Sequence, residues 1–254
     1  MKITARINTF NEEDNIGPAL ESVAWADELL VVDSFSTDRT VEVARRYTDR
    51  VVSHAFESYP AQHNYADSLC THDWVLVLDA DERLSPELSQ ALQQLRAQGT
   101  NLDGFRMARR AWYLGRWIGH SGWYPNWQTR LYRRALTRWE GELVHESARV
   151  AGRVGRLPGD ILHYTRRSLH EHVAVMNRYT DLAAQARFRQ GGAVSYLQLA
   201  LTPPGVFLRS YLLRQGFRDG WQGLVIAYLA ASYVHVKQAK LLEMQRLPPP
   251  PAGR

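Results

Sequence analysis

The residues best suited to chemistry are Asp79-Ala80-Asp81, which directly follow the apolar run from Trp74 to Leu78. Two carboxylates this close repel unless a divalent cation lies between or beside them, and hard oxygen ligands select Mg²⁺ or Mn²⁺. An isolated Asp-x-Asp occurs by chance in many loops. Here it follows a buried-looking strand, and two other polar groups, Asn11-Glu12-Glu13 and Asp33-Ser34, also come straight after apolar runs. An ionised carboxylate accepts two hydrogen bonds, so carboxylates at such strand ends can receive the donors of a ligand. Asp33 could equally serve as a turn or cap carboxylate, although Ser36 or Asp38 suits that role better.

Repeated strand and helix signals position these groups. Strands are predicted at Ile3–Thr9, at Leu29–Val32, around Val51 and Val52, and at Trp74–Leu78. Helices are predicted over 15–24, 37–47, 61–69 and 86–95, the last opened by Pro86 with Ser85 as N-cap. Such units imply an α/β fold: a Rossmann-like, mostly parallel sheet with helices on both faces. Ligands then sit beyond the carboxyl ends of the strands.

Past Gly104 the texture becomes aromatic and arginine-rich, with Trp112, Trp117, Trp123, Trp127 and Trp139 crowded together. The expected division is a catalytic domain over 1–165, with 1–100 holding a donor and 101–165 facing an acceptor. A helical region over 166–247 and a loose Pro-rich tail over 248–254 follow. The apolar stretch Gly223–Val236 is shorter than the ~20 residues that span a bilayer. With Trp221, Lys237, Lys240 and the Arg209, Arg214, Arg218 series nearby, it fits a helix lying in a headgroup region. A buried core helix or an oligomer contact fits equally well.

Net charge divides unevenly: residues 1–100 hold 8 Lys+Arg against 17 Asp+Glu, a net of −9, and residues 101–254 hold 23 against 9, a net of +14. An acidic half that binds a phosphorylated ligand needs a cation between them. A basic half suits an anionic acceptor, a lipid surface or nucleic acid. The one cysteine, Cys70, excludes an internal disulfide framework. The N-terminus lacks the apolar core of a signal peptide, so a cytoplasmic location is expected.

The stretches Thr9-Phe10-Asn11-Glu12-Glu13-Asp14-Asn15-Ile16, Val31-Val32-Asp33-Ser34-Phe35-Ser36-Thr37-Asp38-Arg39-Thr40 and Leu78-Asp79-Ala80-Asp81-Glu82 resemble, in order and spacing, the inverting glycosyltransferases of family 2, whose nucleotide-binding fold is called GT-A. The resemblance implies that Glu12 holds ribose hydroxyls and that Asp33 reads the base. It further implies that Asp79 lies against the ribose or metal and that Asp81 coordinates the metal under the diphosphate. Thr9, Asn11, Gln62, Asn64 and Ala80 are placed near the donor on the same ground. Asp33 is followed by Ser-Phe where the family more often has Asp-Gly. The later stretches Gly122–Arg134, Gly141–Glu146 and Gly216–Trp221 are similar to those of bacterial lipopolysaccharide core glucosyltransferases that modify inner-core heptose.

Inversion requires one general base for the acceptor hydroxyl while the diphosphate leaves from the opposite face. Glu146 is the first candidate base and Glu142 the reserve. His145 ligates the metal, touches the diphosphate, or is satisfied by a backbone carbonyl. Arg130 and Arg133 stand in a strand-like segment and are expected to share a face, where they clamp a phosphate or form surface ion pairs. The tryptophans pack in the core or belong to a loop closing over the site.

The expected activity is transfer of a hexose, glucose from UDP-glucose first, onto an anionic lipopolysaccharide inner-core acceptor, with peripheral contact at the cytoplasmic face of the inner membrane. A polyprenyl phosphate or another envelope glycan is the alternative acceptor. A nucleic-acid-binding module is disfavoured by the acidic first half, so no nucleic-acid partner is expected.

Overall fold

Short apolar strands alternating with helices, two of them capped by serine, build the sheet of the first of two units into which the chain divides. The computed structural model describes residues 1–141, 146–165 and 168–247. The first unit is Met1–Arg110 with Pro125–Tyr164, and the second is Ala111–Tyr124 with Thr165–Arg254.

In the first unit the strands β1 (Ile3–Thr9), β2 (Glu28–Asp33), β3 (Val51–Ser53) and β4 (Trp74–Asp79) pair in parallel. The sheet then continues through β5 (Glu82–Leu84), β6 (Gly104–Tyr113), β8 (Asn126–Arg133) and β11 (Val154–His163), in the spatial order β3-β2-β1-β4-β8-β6-β11-β5. β8 enters antiparallel to β4, so the parallel run ends where the site begins.

Both faces of the parallel half are covered, which is why its strands read as near-continuous apolar runs. Ile3, Ala5 and Ile7 pack with Ile16 and Leu20 of α1 (Ile16–Ser22) and Leu88 and Leu92 of α4 (Pro86–Gln98). Leu30, Val32, Val75 and Val77 pack with Ala66 and Cys70 at α3 (Tyr59–Leu69). Ser85 caps α4 as expected, its hydroxyl accepting from Leu88 N–H at 3.2 Å, and Ser58 caps α3 in the same way. The helix expected over 37–47 is only Thr40–Ala44 (α2), because the Asp38 carboxylate takes the Thr40 N–H and hydroxyl and holds 37–39 in a turn.

Strand β5 was not foreseen. Glu82-Arg83-Leu84 is too short and too polar to show a period, yet it pairs antiparallel with β11, setting His163 opposite Glu82. A separate hairpin joins β9 (Thr137–Glu140) to β10 (Ser147–Val150).

The second unit contains the hairpin between the end of β6 and β7 (Arg116–Trp117), where Trp112 faces Trp117, and the helices α5 (Leu169–Arg189), α6 (Tyr196–Leu208) and α7 (Gly220–Arg246). A π-helical turn, Arg209–Leu213, continues α6. Buried Asp219 accepts from Gly119 N–H at 3.1 Å and His120 N–H at 2.8 Å. The segment 111–124, read from sequence as acceptor-facing, belongs to this unit. Among the described residues, no helix is long and apolar enough to cross a membrane.

Candidate active site

Register brings three strand ends side by side. Thr9 of β1 pairs with Asp33 of β2, and Asn8 of β1 pairs with Asp79 of β4. With neighbouring strands ~4.8 Å apart, Asp33 and Asp79 flank β1 about 10 Å from each other. Between them, Asn8 Oδ1 and Thr9 Oγ1 are buried without a hydrogen-bond partner. Orphaned acceptors of this kind are rare in a finished core and mark the end of β1 as a place for a polar ligand.

The loops after β1 and β2 are laced together. Asn11, at φ 53°, donates its N–H to Ser36 Oγ at 2.8 Å and accepts from Thr37 N–H at 2.8 Å. Glu12 N–H donates to Thr40 Oγ1 at 2.8 Å, while its carboxylate accepts from Asn15 Nδ2 at 2.7 Å. Asp33 is 1% exposed and does take the turn role, accepting from Ser36 N–H at 3.0 Å and from its hydroxyl at 2.5 Å. A carboxylate has about four acceptor sites, so this leaves capacity for a ligand N–H. Phe35 adopts φ 61°, the left-handed region where glycine is free. That conformation accounts for glycine being the commoner residue there. Gln62 donates to Ser34 Oγ at 3.2 Å and meets His54 Nδ1 at 2.8 Å. It thereby joins the same loops.

Around the Asp-x-Asp a second network is buried. Arg130 reaches from β8 and donates through Nη2 to Asp79 Oδ2 at 2.7 Å and to Glu82 Oε1 at 2.9 Å. Glu82, with no exposure, also accepts from Asp79 N–H at 3.0 Å and from Arg109 Nη1 at 3.1 Å. Burial pushes the Asp79 carboxyl up, but the charge and hydrogen bond of Arg130 outweigh it and hold the group well below the usual carboxylate range. Asp79 therefore stays ionised at any physiological pH. Asp81 keeps 26% of its side chain exposed, and His163 Nε2 lies 3.0 Å from its Oδ2. Asp81 O also accepts from Tyr164 N–H at 2.9 Å.

The α3 face carries a third network. Arg6, fully buried, donates to Asp67 Oδ1 at 2.6 Å and to Tyr132 Oη at 3.1 Å. His63 Nδ1 faces both Arg6 Nη1 at 2.9 Å and Asn8 Nδ2 at 3.2 Å, two donors that place the ring proton on Nε2. Burial, reinforced by the charge of Arg6, holds His63 neutral, its pKa well below the ordinary histidine value. The ring stacks on Trp139 at 3.8 Å.

Several sequence expectations are corrected here. Arg130 and Arg133 do not share a face, because residues three apart in a strand point to opposite sides. Arg133 stacks over Trp74 at 5.2 Å and pairs with Asp103 at 3.6 Å. Trp74 opens β4 and Asp79 closes it, so Arg133 stands about 17 Å along the sheet from the Asp-x-Asp. Arg130 is buried against carboxylates instead of lying open to a phosphate. Asn64 is tied by both ends of its amide to Trp139 backbone, at 3.0 Å each, and so anchors β9 to α3. Trp139 is core, and Trp127 lies under Arg156 at 4.6 Å. Glu146 is half-buried just before β10. Glu142 and His145 lie outside the described residues. His163 and the bracing role of Glu82 were not read from the sequence. The mixed sequence of β11, Val-Gly-Arg-Leu-Pro-Gly-Asp-Ile-Leu-His, gave no signal for the first.

Comparison with known proteins accords with this arrangement. The family model described as glycosyl transferase family 2 matches residues 5–150. The chain is 30% identical to the lipopolysaccharide core biosynthesis glycosyltransferase LpsC of Rhizobium meliloti, over 97% of this chain and 94% of that protein. It is also 30% identical to an uncharacterised glycosyltransferase of Rickettsia typhi, over 96% and 87% respectively. Among solved structures, TarS 1-349 of S. aureus in complex with UDP-GlcNAc is similar at a TM-score of 0.49 and 16% identity, over 97% of this chain and 92% of that one. With a family match across more than half its length and those motifs at three neighbouring strand ends, the chain belongs to glycosyltransferase family 2 and is a glycosyltransferase of GT-A-like α/β fold.

Proposed function

We propose that this enzyme transfers a hexose, glucose from UDP-glucose first, onto the inner core of a lipopolysaccharide acceptor at the cytoplasmic face of the inner membrane, with inversion at the anomeric carbon. The observation that carries this reading is the register setting Thr9, Asp33 and Asp79 at adjacent strand ends, with unpartnered acceptors on β1 between the two carboxylates. The likeness to LpsC along nearly the whole chain favours a lipopolysaccharide-core acceptor. The +14 charge of residues 101–254 suits its phosphates.

The donor set fits Mg²⁺ or Mn²⁺. Asp81 offers hard carboxylate oxygens, and His163 Nε2 lies within 3.0 Å of its Oδ2 as a second ligand type such a cation accepts. Among the described residues no three metal-ligating side chains converge. A hard cation of this kind needs only one or two protein carboxylates. Asp81 would hold it, with Asp79 and His163 beside it and His145 a further candidate. When bound, the cation supplies positive charge to the departing diphosphate.

The chain's own groups account for the rest. Asp33 accepts from the base, Glu12 from the ribose hydroxyls, and Thr9 and Asn11 line the same edge. Arg130 and Glu82 fix the Asp79 carboxylate and keep it ionised. Glu146 takes the proton of the acceptor hydroxyl as its oxygen bonds to the anomeric carbon and the bond to UDP breaks, with Glu142 as reserve. Incubation with UDP-glucose, Mn²⁺ and a lipopolysaccharide lacking that glucose is expected to yield a β-glucoside and UDP in equal amounts. Failure to turn over any UDP-hexose with any inner-core acceptor would overturn the proposal.

A further inference from the structure

Ten of the 23 large apolar side chains exposed among the described residues lie between Tyr196 and Tyr228. They cover α6, the turn after it and the first third of α7. Leu213 at the turn is 80% exposed and Leu197 on α6 is 68% exposed. A monomer rarely leaves so much apolar surface contiguous without a use for it. A groove of about 530 Å³ between α6 and α7 adds to this surface, lined by Pro203, Pro204, Phe207, Leu208, Tyr228 and Ala231. Two prolines inside α6 sit where that helix borders the groove.

The charge on the same stretch has one sign. From Tyr196 to Leu242 the only acidic residue is Asp219, which is buried and held by Gly119 and His120. Arg209, Arg214 and Arg218 are exposed in and just after the turn. Tyr196, Trp221 and Tyr228, each more than half exposed, are residue types that settle at the boundary of hydrocarbon and headgroups. A two-fold contact between copies of this chain would set that arginine collar near itself, since the same patch faces itself across the axis. An anionic bilayer meets both features at once: apolar side chains enter the acyl boundary and arginines reach the headgroups.

We infer that the α6–α7 hairpin, tipped by Leu212 and Leu213 and collared by Arg209, Arg214 and Arg218, lies on an anionic lipid bilayer without crossing it. This assignment rests on the proposed lipid-borne acceptor only for its purpose, and the test uses neither donor nor acceptor, so either can fail alone.

Flotation of the full chain with phosphatidylglycerol-containing vesicles is the test, run beside pure phosphatidylcholine vesicles and beside sedimentation of the protein alone. Binding is expected to anionic vesicles only and to weaken as salt is raised. L212E/L213E and R209E/R218E should each reduce the floated fraction tenfold or more, with circular dichroism and Tm checked to establish folding. The inference is overturned if the wild type stays unbound, if it floats equally with neutral vesicles, or if L212E/L213E floats as the wild type does. It is equally overturned if the wild type is a dimer that L212E/L213E dissociates, with no vesicle binding by either.

Discussion

His163 closes β11 with its Nε2 3.0 Å from Asp81 Oδ2, joining two residues 82 positions apart at the mouth of the sheet. β5 makes this contact, because Glu82 pairs with His163 immediately after the Asp-x-Asp turn. If the imidazole shares the cation with Asp81, His163→Ala should weaken Mn²⁺-dependent UDP binding by roughly 10–100-fold, the range seen when the shell around a metal ligand is altered. UDP binding in chelator should not change. Calorimetric titration with and without Mn²⁺ separates the two, and an unchanged Mn²⁺-dependent affinity would remove His163 from the site.

Arg130 is the sole cation donating to Asp79 among the described hydrogen bonds, and it also neutralises the fully buried Glu82. Arg130→Met leaves the buried Glu82 with Arg109 as its remaining cation and Asp79 partly open to solvent, so the loss should fall short of the ~3–5 kcal/mol of a fully broken buried pair. Urea unfolding should show that loss. The Asp79→Asn/Arg130→Met double variant should recover part of it, since one of the stranded charges is then gone.

Neutral burial of His63 has a pH consequence. In the unfolded chain the imidazole takes a proton near pH 6.5, whereas in the fold its pKa is lowered, so the unfolded state binds more protons below that pH. Stability should therefore be fully present above about pH 6.5 and fall below it, with a slope of up to ~1.4 kcal/mol per pH unit. Comparing Tm from pH 7.5 to 5.5 in wild type and His63→Asn isolates the term. An equal slope in both would place the titrating group elsewhere.

Glu146→Gln preserves size and hydrogen bonding but cannot take a proton. With general-base catalysis contributing roughly 10²–10⁴-fold, transfer should fall by that range while UDP affinity stays within twofold. Wild-type transfer in this variant would pass the role to another carboxylate, Glu142 first.

The first hundred residues were legible because their physics is local. Continuous apolar runs such as Val75 to Leu78, too short for a helix of usual length, fit strands buried on both faces, and a carboxylate directly after one then lies at the sheet's edge. Ser85 followed by Pro86 marks a helix start by residue type, whereas Ser58 went unread and α3 begins two residues before the expected 61. What stayed hidden depends on distant pairing. Nothing near Asp81 announces His163, and nothing in Asn-Trp-Gln-Thr-Arg shows Arg130 turned inward to Asp79. Arg133 was misassigned through the strand's period, which sends it to Trp74 at the far end of β4. Asn64 carries the residue type of a ligand contact, yet β9 claims both ends of its amide.

Thermal shift of the wild type and Asp81→Asn with UDP, in Mn²⁺ and in chelator, probes whether a cation at Asp81 holds the donor. A ligand at 100 times its Kd stabilises by about 2.7 kcal/mol, so the wild type should rise by several degrees with UDP and Mn²⁺ together. It should respond little to either alone, and Asp81→Asn should lose the joint effect. An equal rise in Asp81→Asn, or no rise in the wild type, would contradict a donor site built on the Asp-x-Asp edge.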